Sequence, residues 1–217
     1  MDVVEAGLMG LRSAVCVLTR RSAPLRFTLY PMIHLGEASF YAEVSRRLRE
    51  HDLIVAEGGR PGSSSRPSRV AARLGLVGQS YEMVEVGVPI VWPDMPGDEF
   101  DRKWRQLPFL ERAMIPLSAL YLRTFATREH LARHLVTNDD TDIDQFDPTS
   151  ATDRLINDER DALLTQAITN LHTTHHNDHL NIAIVYGAAH IPTLITHLMS
   201  TLDYVVTSAE WLTVFDY

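Results

Sequence analysis

The run Ile182-Ala183-Ile184-Val185-Tyr186-Gly187-Ala188-Ala189-His190 constrains this chain more than any other stretch. Five consecutive apolar residues closed by glycine predict a strand buried on both faces, the kind found inside a parallel sheet. Such a strand needs helices above and below it, which sets the class as α/β. A looser counterpart lies near the other end, where Phe27-Thr28-Leu29-Tyr30 is followed by Pro31-Met32-Ile33-His34. Each strand delivers one histidine just past its end.

The pattern strand, histidine turn, helix, strand occurs over 26–56 and again over 182–207. This predicts a largely parallel central sheet made from two βαβ halves and flanked by helices, in a single domain spanning 1–217. Residues 15–19 and 26–30 read as a hairpin that starts the sheet, and Ser39 reads as the N-cap of a helix running to Glu50. Short strands are expected at 53–56, 86–92, 204–207 and 212–215. A helical insertion covers about 98–135; its apolar segment around Met114-Ile115-Pro116-Leu117 fits a cap on the sheet or a homodimer contact. Gly59 to Ser68 reads as a loop, 138–152 as an acidic linker, and Asp158 to about Leu171 as a helix capped by Asn157.

Charge and composition narrow the partners. The chain has 217 residues and a formal net charge of −8, so a basic face for nucleic acid or for an anionic membrane is not expected. Small molecules, peptides or a protein partner stay open on charge alone, and a small-molecule or peptide substrate is the expectation. Cys16 is the only cysteine, which rules out an internal disulfide, and its apolar neighbours predict a buried thiol. The acidic opening Met1-Asp2-Val3-Val4-Glu5 lacks the pattern of a signal peptide, so a cytoplasmic location is expected.

Ligands of open α/β sheets bind beyond the carboxyl ends of the strands. By that rule His34, Glu57, Asp94 and His190 converge on one face. Two histidines and one or two carboxylates suit a divalent transition metal such as Mn, Co or Zn, with a position left for water. Without metal, one histidine serves as general base and a carboxylate or the other histidine orients it. Arg160 falls near the middle of an apolar stripe at helical spacing; it needs an acid, and either Glu57 or a substrate anion answers. The cluster His172, His175, His176 and His179 lies between a helix end and a strand and reads as a solvated connector. Ser63-Ser64-Ser65 lacks the turn glycines of a serine nucleophile.

Taken in order, Pro31-Met32-Ile33-His34, Glu57-Gly58, Glu159-Arg160-Asp161 and Gly187-Ala188-Ala189-His190 resemble the TraB/Tiki/GumN superfamily, allied to the erythromycin esterases and ChaN-like proteins. The likeness spans 26–57 and 155–207 and departs from the family pattern at Pro31, where a glycine is usual. It implies an α/β fold and, for Tiki-like members, metal-dependent peptide hydrolysis. For the esterases it implies histidine-assisted hydrolysis, and for other relatives ligand binding or regulation. The expected function is therefore hydrolysis of an amide or ester by metal- or histidine-activated water. In that reading His34, Glu57 and His190 bind metal or act as base, while Arg160 and Glu159 orient the substrate. A noncatalytic ligand-binding protein and a tailoring enzyme for a small natural product are the rival expectations.

Overall fold

A computed structural model describes residues 2–58, 69–93, 102, 103, 105, 106, 127–136 and 158–217. The insertion's apolar segment, the acidic linker, the loop 59–68, Asp94 and Asn157 lie outside these residues. The strands are β1 (Val4–Gly7), β2 (Gly10–Arg20), β3 (Ala23–Met32), β4 (Leu35–Gly36), β5 (Leu53–Ala56), β6 (Val77–Gly78), β7 (Ile90–Val91), β8 (Asn181–Gly187) and β9 (Val205–Phe215). The helices are α1 (Ala38–Leu48), α2 (Arg69–Arg73), α3 (Arg128–Val136), α4 (Glu159–His175) and α5 (Ile191–Ser200).

The protein is a mixed α/β structure built on a seven-stranded sheet in the order β1-β2-β3-β8-β5-β7, with β9 on the free side of β2. One wing is parallel, where β8 sits between β3 and β5 and β7 follows β5. The other is antiparallel, where β2 pairs with β1, β3 and β9. The expected hairpin is present as β2/β3, and the further antiparallel pairing of β2 with β1 and β9 makes the sheet less parallel than the sequence predicts. Both βαβ halves exist but interleave. β3-α1-β5 leaves room for β8, and β8-α5-β9 passes over β3 and β2.

The apolar run of β8 explains this arrangement. Ile182, Ile184 and Tyr186 pack on one face with Leu164 and Ile168 of α4 and Leu194 and Leu198 of α5. Ala183 and Val185 pack on the other with Phe40, Val44 and Leu48 of α1. Alternate side chains thus enter two cores, and removing their surface from water favours placing β8 at the centre. Residues 205–215 form one long strand instead of the two short ones expected, bent by register shifts opposite Leu11/Arg12 and Val17/Leu18.

Pro31 lies inside β3, opposite Tyr186, and has no N–H to offer β2. The Ser13 hydroxyl instead donates to the Pro31 carbonyl at 2.6 Å, at the point where β2 leaves β3 for β1. Cys16 is fully buried, and burial pushes its thiol pKa up. Among the described residues, no helix is long and apolar enough to cross a membrane.

Several histidines are structural. His172 lies within α4, bonded to the Tyr204 hydroxyl at 3.1 Å and facing Arg20 at 3.1 Å, so this part of the cluster docks a helix and is not a solvated connector. Burial lowers the pKa of His51, His172 and His197. A histidine with a depressed native pKa takes up its proton more readily when unfolded. The stability it provides is present above about pH 6.5 and is lost as pH falls through the native value. The urea midpoint of His51→Phe should consequently fall less than that of wild type between about pH 7.5 and about pH 5.5. Equal falls would remove His51 from the acid response.

Candidate active site

Four side chains meet where β5 and β8 end. Glu57 follows the last residue of β5, and its N–H donates to the Val185 carbonyl at 3.0 Å, continuing the ladder by one step. Its carboxylate then turns toward β8. Oε2 accepts the Gly187 N–H at 2.5 Å, and Oε1 accepts from the Arg160 guanidinium at 2.7 Å. Arg160 and Glu57 side chains are only 16% and 13% exposed, so each charge depends on the other.

Gly187 leaves room for the Glu57 carboxylate. A Cβ at this position would sit 2.9 Å from Glu57 Oε2, closer than real side chains approach. The glycine lets the carboxylate reach the backbone N–H; its φ of −50° is open to any residue. The equivalent place in the first motif is Pro31, which has neither the N–H nor the space. The two turns are therefore chemically different, although both follow strands of the same parallel pair.

After Gly187, a single 3₁₀ turn (Ala188–His190) leads into α5, with Pro192 in its first turn. His190 is 4% exposed. Its ring stands edge-on to Tyr186 at 5.6 Å, and Tyr186 is itself fixed by a hydroxyl bond to the Pro93 carbonyl at 3.1 Å. Nδ1 lies 2.7 Å from Asp161 Oδ1, and Nε2 lies 3.8 Å from Glu57 Oε1. The carboxylate at Nδ1 holds the proton there, so the lone pair falls on Nε2 in the neutral ring. The result is an imidazole oriented by one acid and facing another.

Asp161 is the residue that sequence reasoning overlooked. It belongs to the Glu159-Arg160-Asp161 triplet, yet only its two neighbours were assigned roles. At the start of α4, Arg160 and Asp161 both turn inward, whereas Glu159 pairs with Lys103 at 2.5 Å and is 42% exposed. The missed signal was a buried histidine without a partner for its second nitrogen.

His34 does not join the cluster. β3 continues through Pro31 to Met32, Ile33 is buried, and the Ile33 carbonyl accepts the Tyr41 hydroxyl at 2.7 Å. The next residue, His34, points outward, and its imidazole makes no hydrogen bond or ion pair with any described residue. Asp94 lies outside the described residues.

Among the described residues, the expected metal donors that meet are one nitrogen, His190 Nε2, and one oxygen, Glu57 Oε1, with a guanidinium already on that oxygen. Among the described residues, no group of three or more His, Cys, Asp or Glu could hold a metal ion. A Mn, Co or Zn site ordinarily takes at least three protein donors, and a neighbouring guanidinium opposes a cation electrostatically. These residues suit proton chemistry better.

Comparison with known proteins adds no assignment. No family model, curated protein or solved structure matches the chain.

Substituting Gly187→Ala should force Glu57 off its N–H and lower the unfolding free energy by about 1–3 kcal/mol in chemical denaturation. Unchanged stability would show that this contact does not set the geometry.

Proposed function

We propose that the protein is a hydrolase of an amide or ester bond in a small molecule or peptide, using His190 as general base. The reading rests on one observation: the imidazole is held through Nδ1 by Asp161 and faces Glu57 with Nε2, at 2.7 Å and 3.8 Å. Across the longer gap a water molecule can touch both groups.

In this mechanism Nε2 takes a proton from water as the water oxygen bonds to the substrate carbonyl carbon. The carbonyl π electrons move to its oxygen, and their return breaks the bond to the leaving amine or alcohol. The imidazolium then gives its proton to that leaving group. Asp161 stabilises the imidazolium and fixes its tautomer. Glu57 accepts the second hydrogen of the water, while Arg160 holds the Glu57 carboxylate in place. Arg160 and Asp161 are positioning residues, and Glu159 has no part in the step.

The sequence motifs support this reading too, since the same residues carry the likeness to histidine-assisted esterases. The metal-dependent version of the resemblance finds less support, because His34 stays apart from the cluster.

Hydrolysis of a panel of activated esters and chromogenic amides provides the test. His190→Ala should reduce kcat by about 10²–10⁴-fold with the fold retained by circular dichroism. Asp161→Asn should lower kcat more than it raises KM. An active wild type that keeps its rate in His190→Ala would overturn the proposal.

Chelation distinguishes the two versions. Dialysis against EDTA and dipicolinate should leave the rate unchanged. Loss of activity restored by Mn, Co or Zn would establish the metal-dependent alternative.

A further inference from the structure

The sheet ends on one side in β9, which pairs with β2 along its length and with no other strand among the described residues. Its outer edge is open. The opposite edge strand, β7, has two residues, whereas β9 has eleven. Long edges are ordinarily protected by proline, lysine or a covering segment. Residues 205–215 contain neither proline nor lysine, and 207–211 are all exposed. Cover begins only at Val214, whose carbonyl accepts the Glu37 N–H at 2.8 Å. The register shifts skip Thr207 and Val214, so 208–213 run in unbroken register with β2.

The direction of the free backbone groups follows from β2. The Ala14 N–H donates to the Val3 carbonyl at 2.9 Å, so the Ala14 backbone faces away from β9. The Val17 carbonyl faces the other way and accepts the Thr207 hydroxyl at 3.2 Å. Directions alternate along a strand, and residues directly opposite in an antiparallel pair either bond to each other or both turn away. Arg12, Ala14 and Cys16 lie opposite Thr213, Trp211 and Ala209. The N–H and C=O groups of Ala209, Trp211 and Thr213 therefore point outward, where no described residue bonds to them. Only another extended backbone satisfies such a row.

We infer that β9 pairs antiparallel with β9 of a second copy of this chain, across a two-fold axis at Trp211, so that two sheets become one. With the axis there, Trp211 faces itself and Ala209 faces Thr213. Each such pair joins outward-facing residues and exchanges both of its backbone hydrogen bonds. Glu210, the only charged residue of β9, then lies opposite Leu212, and its own carboxylate is already held by Arg47 through two contacts of 2.7 Å. Like charges do not meet. An axis at Glu210 would oppose two carboxylates, and one at Ala209 would set Trp211 against the irregular Thr207. An axis at Leu212 would need the Val214 end that Glu37 occupies. Trp211 is 38% exposed, with the Arg12 guanidinium over one side of its ring at 5.6 Å. An aromatic at the centre of the contact suits an interface between subunits. No residue of the His190 cluster belongs to β9.

Sedimentation equilibrium of the full chain tests this. Wild type should show a monomer–dimer equilibrium, with dimer prevailing by about 100 µM. Ala209→Pro deletes an outward N–H and none that bonds to β2, so it should raise the dissociation constant about tenfold or more with circular dichroism unchanged. Trp211→Lys sets two ammonium groups across the axis and should do the same, which keeps the test open if Ala209→Pro unfolds. In the double variant Ala209→Cys/Thr213→Cys, oxidation should yield a disulfide-linked dimer, because cysteines four residues apart on one strand cannot reach each other. A monomer at every concentration overturns the inference and leaves the edge to an extended segment of a different protein. A dimer that both Ala209→Pro and Trp211→Lys leave intact overturns it as well.

Discussion

The Glu57 carboxylate joins three segments that are far apart in the chain. Through Oε2 it holds the Gly187 N–H, 130 residues away, and through Oε1 it holds Arg160, 103 residues away. A buried carboxylate is costly unless it is both hydrogen-bonded and paired, and here it is both. The end of β5, the turn after β8 and the start of α4 are therefore fixed relative to one another. Once α4 is anchored by Arg160, the next residue along the helix, Asp161, meets His190. The orientation of the imidazole thus follows from the Glu57–Arg160 ion pair by way of Asp161.

This dependence separates the two halves of the molecule. The β8 turn has a glycine because a carboxylate must approach its backbone. The β3 turn has a proline, whose carbonyl is held by Ser13 and whose chain continues as strand. A strand that runs on for another residue carries His34 past the site, with Ile33 buried and held by Tyr41. Symmetry between the motifs belongs to the topology, where β3 and β8 are parallel neighbours, and not to the chemistry.

What could be read in the sequence follows the same division. The unbroken apolar run of β8 required cover on both faces, and the structure supplies it with α1 on one side and α4 and α5 on the other. Arg160 in an apolar stripe required an acid, and Glu57 answers. Less legible was whatever depended on strand pairing. The long β9, the interleaving of the two βαβ halves and the antiparallel wing follow from which edges meet, and hydrophobic periodicity does not carry that information. Asp161 was hidden for a local reason. Helical spacing puts adjacent residues about 100° apart, so that two neighbours entering one site is unexpected except at a helix start pressed against a sheet edge.

The Glu57–Arg160 pair organises the site, and a double-mutant cycle measures how strongly the two side chains are coupled. With Glu57→Gln, Arg160→Met and the double variant compared in urea unfolding, the single changes should be strongly destabilising and the double change should cost less than their sum. The expected coupling is about 0.5–3 kcal/mol. Additive costs, with a coupling near zero, would show that the pair does not organise the site.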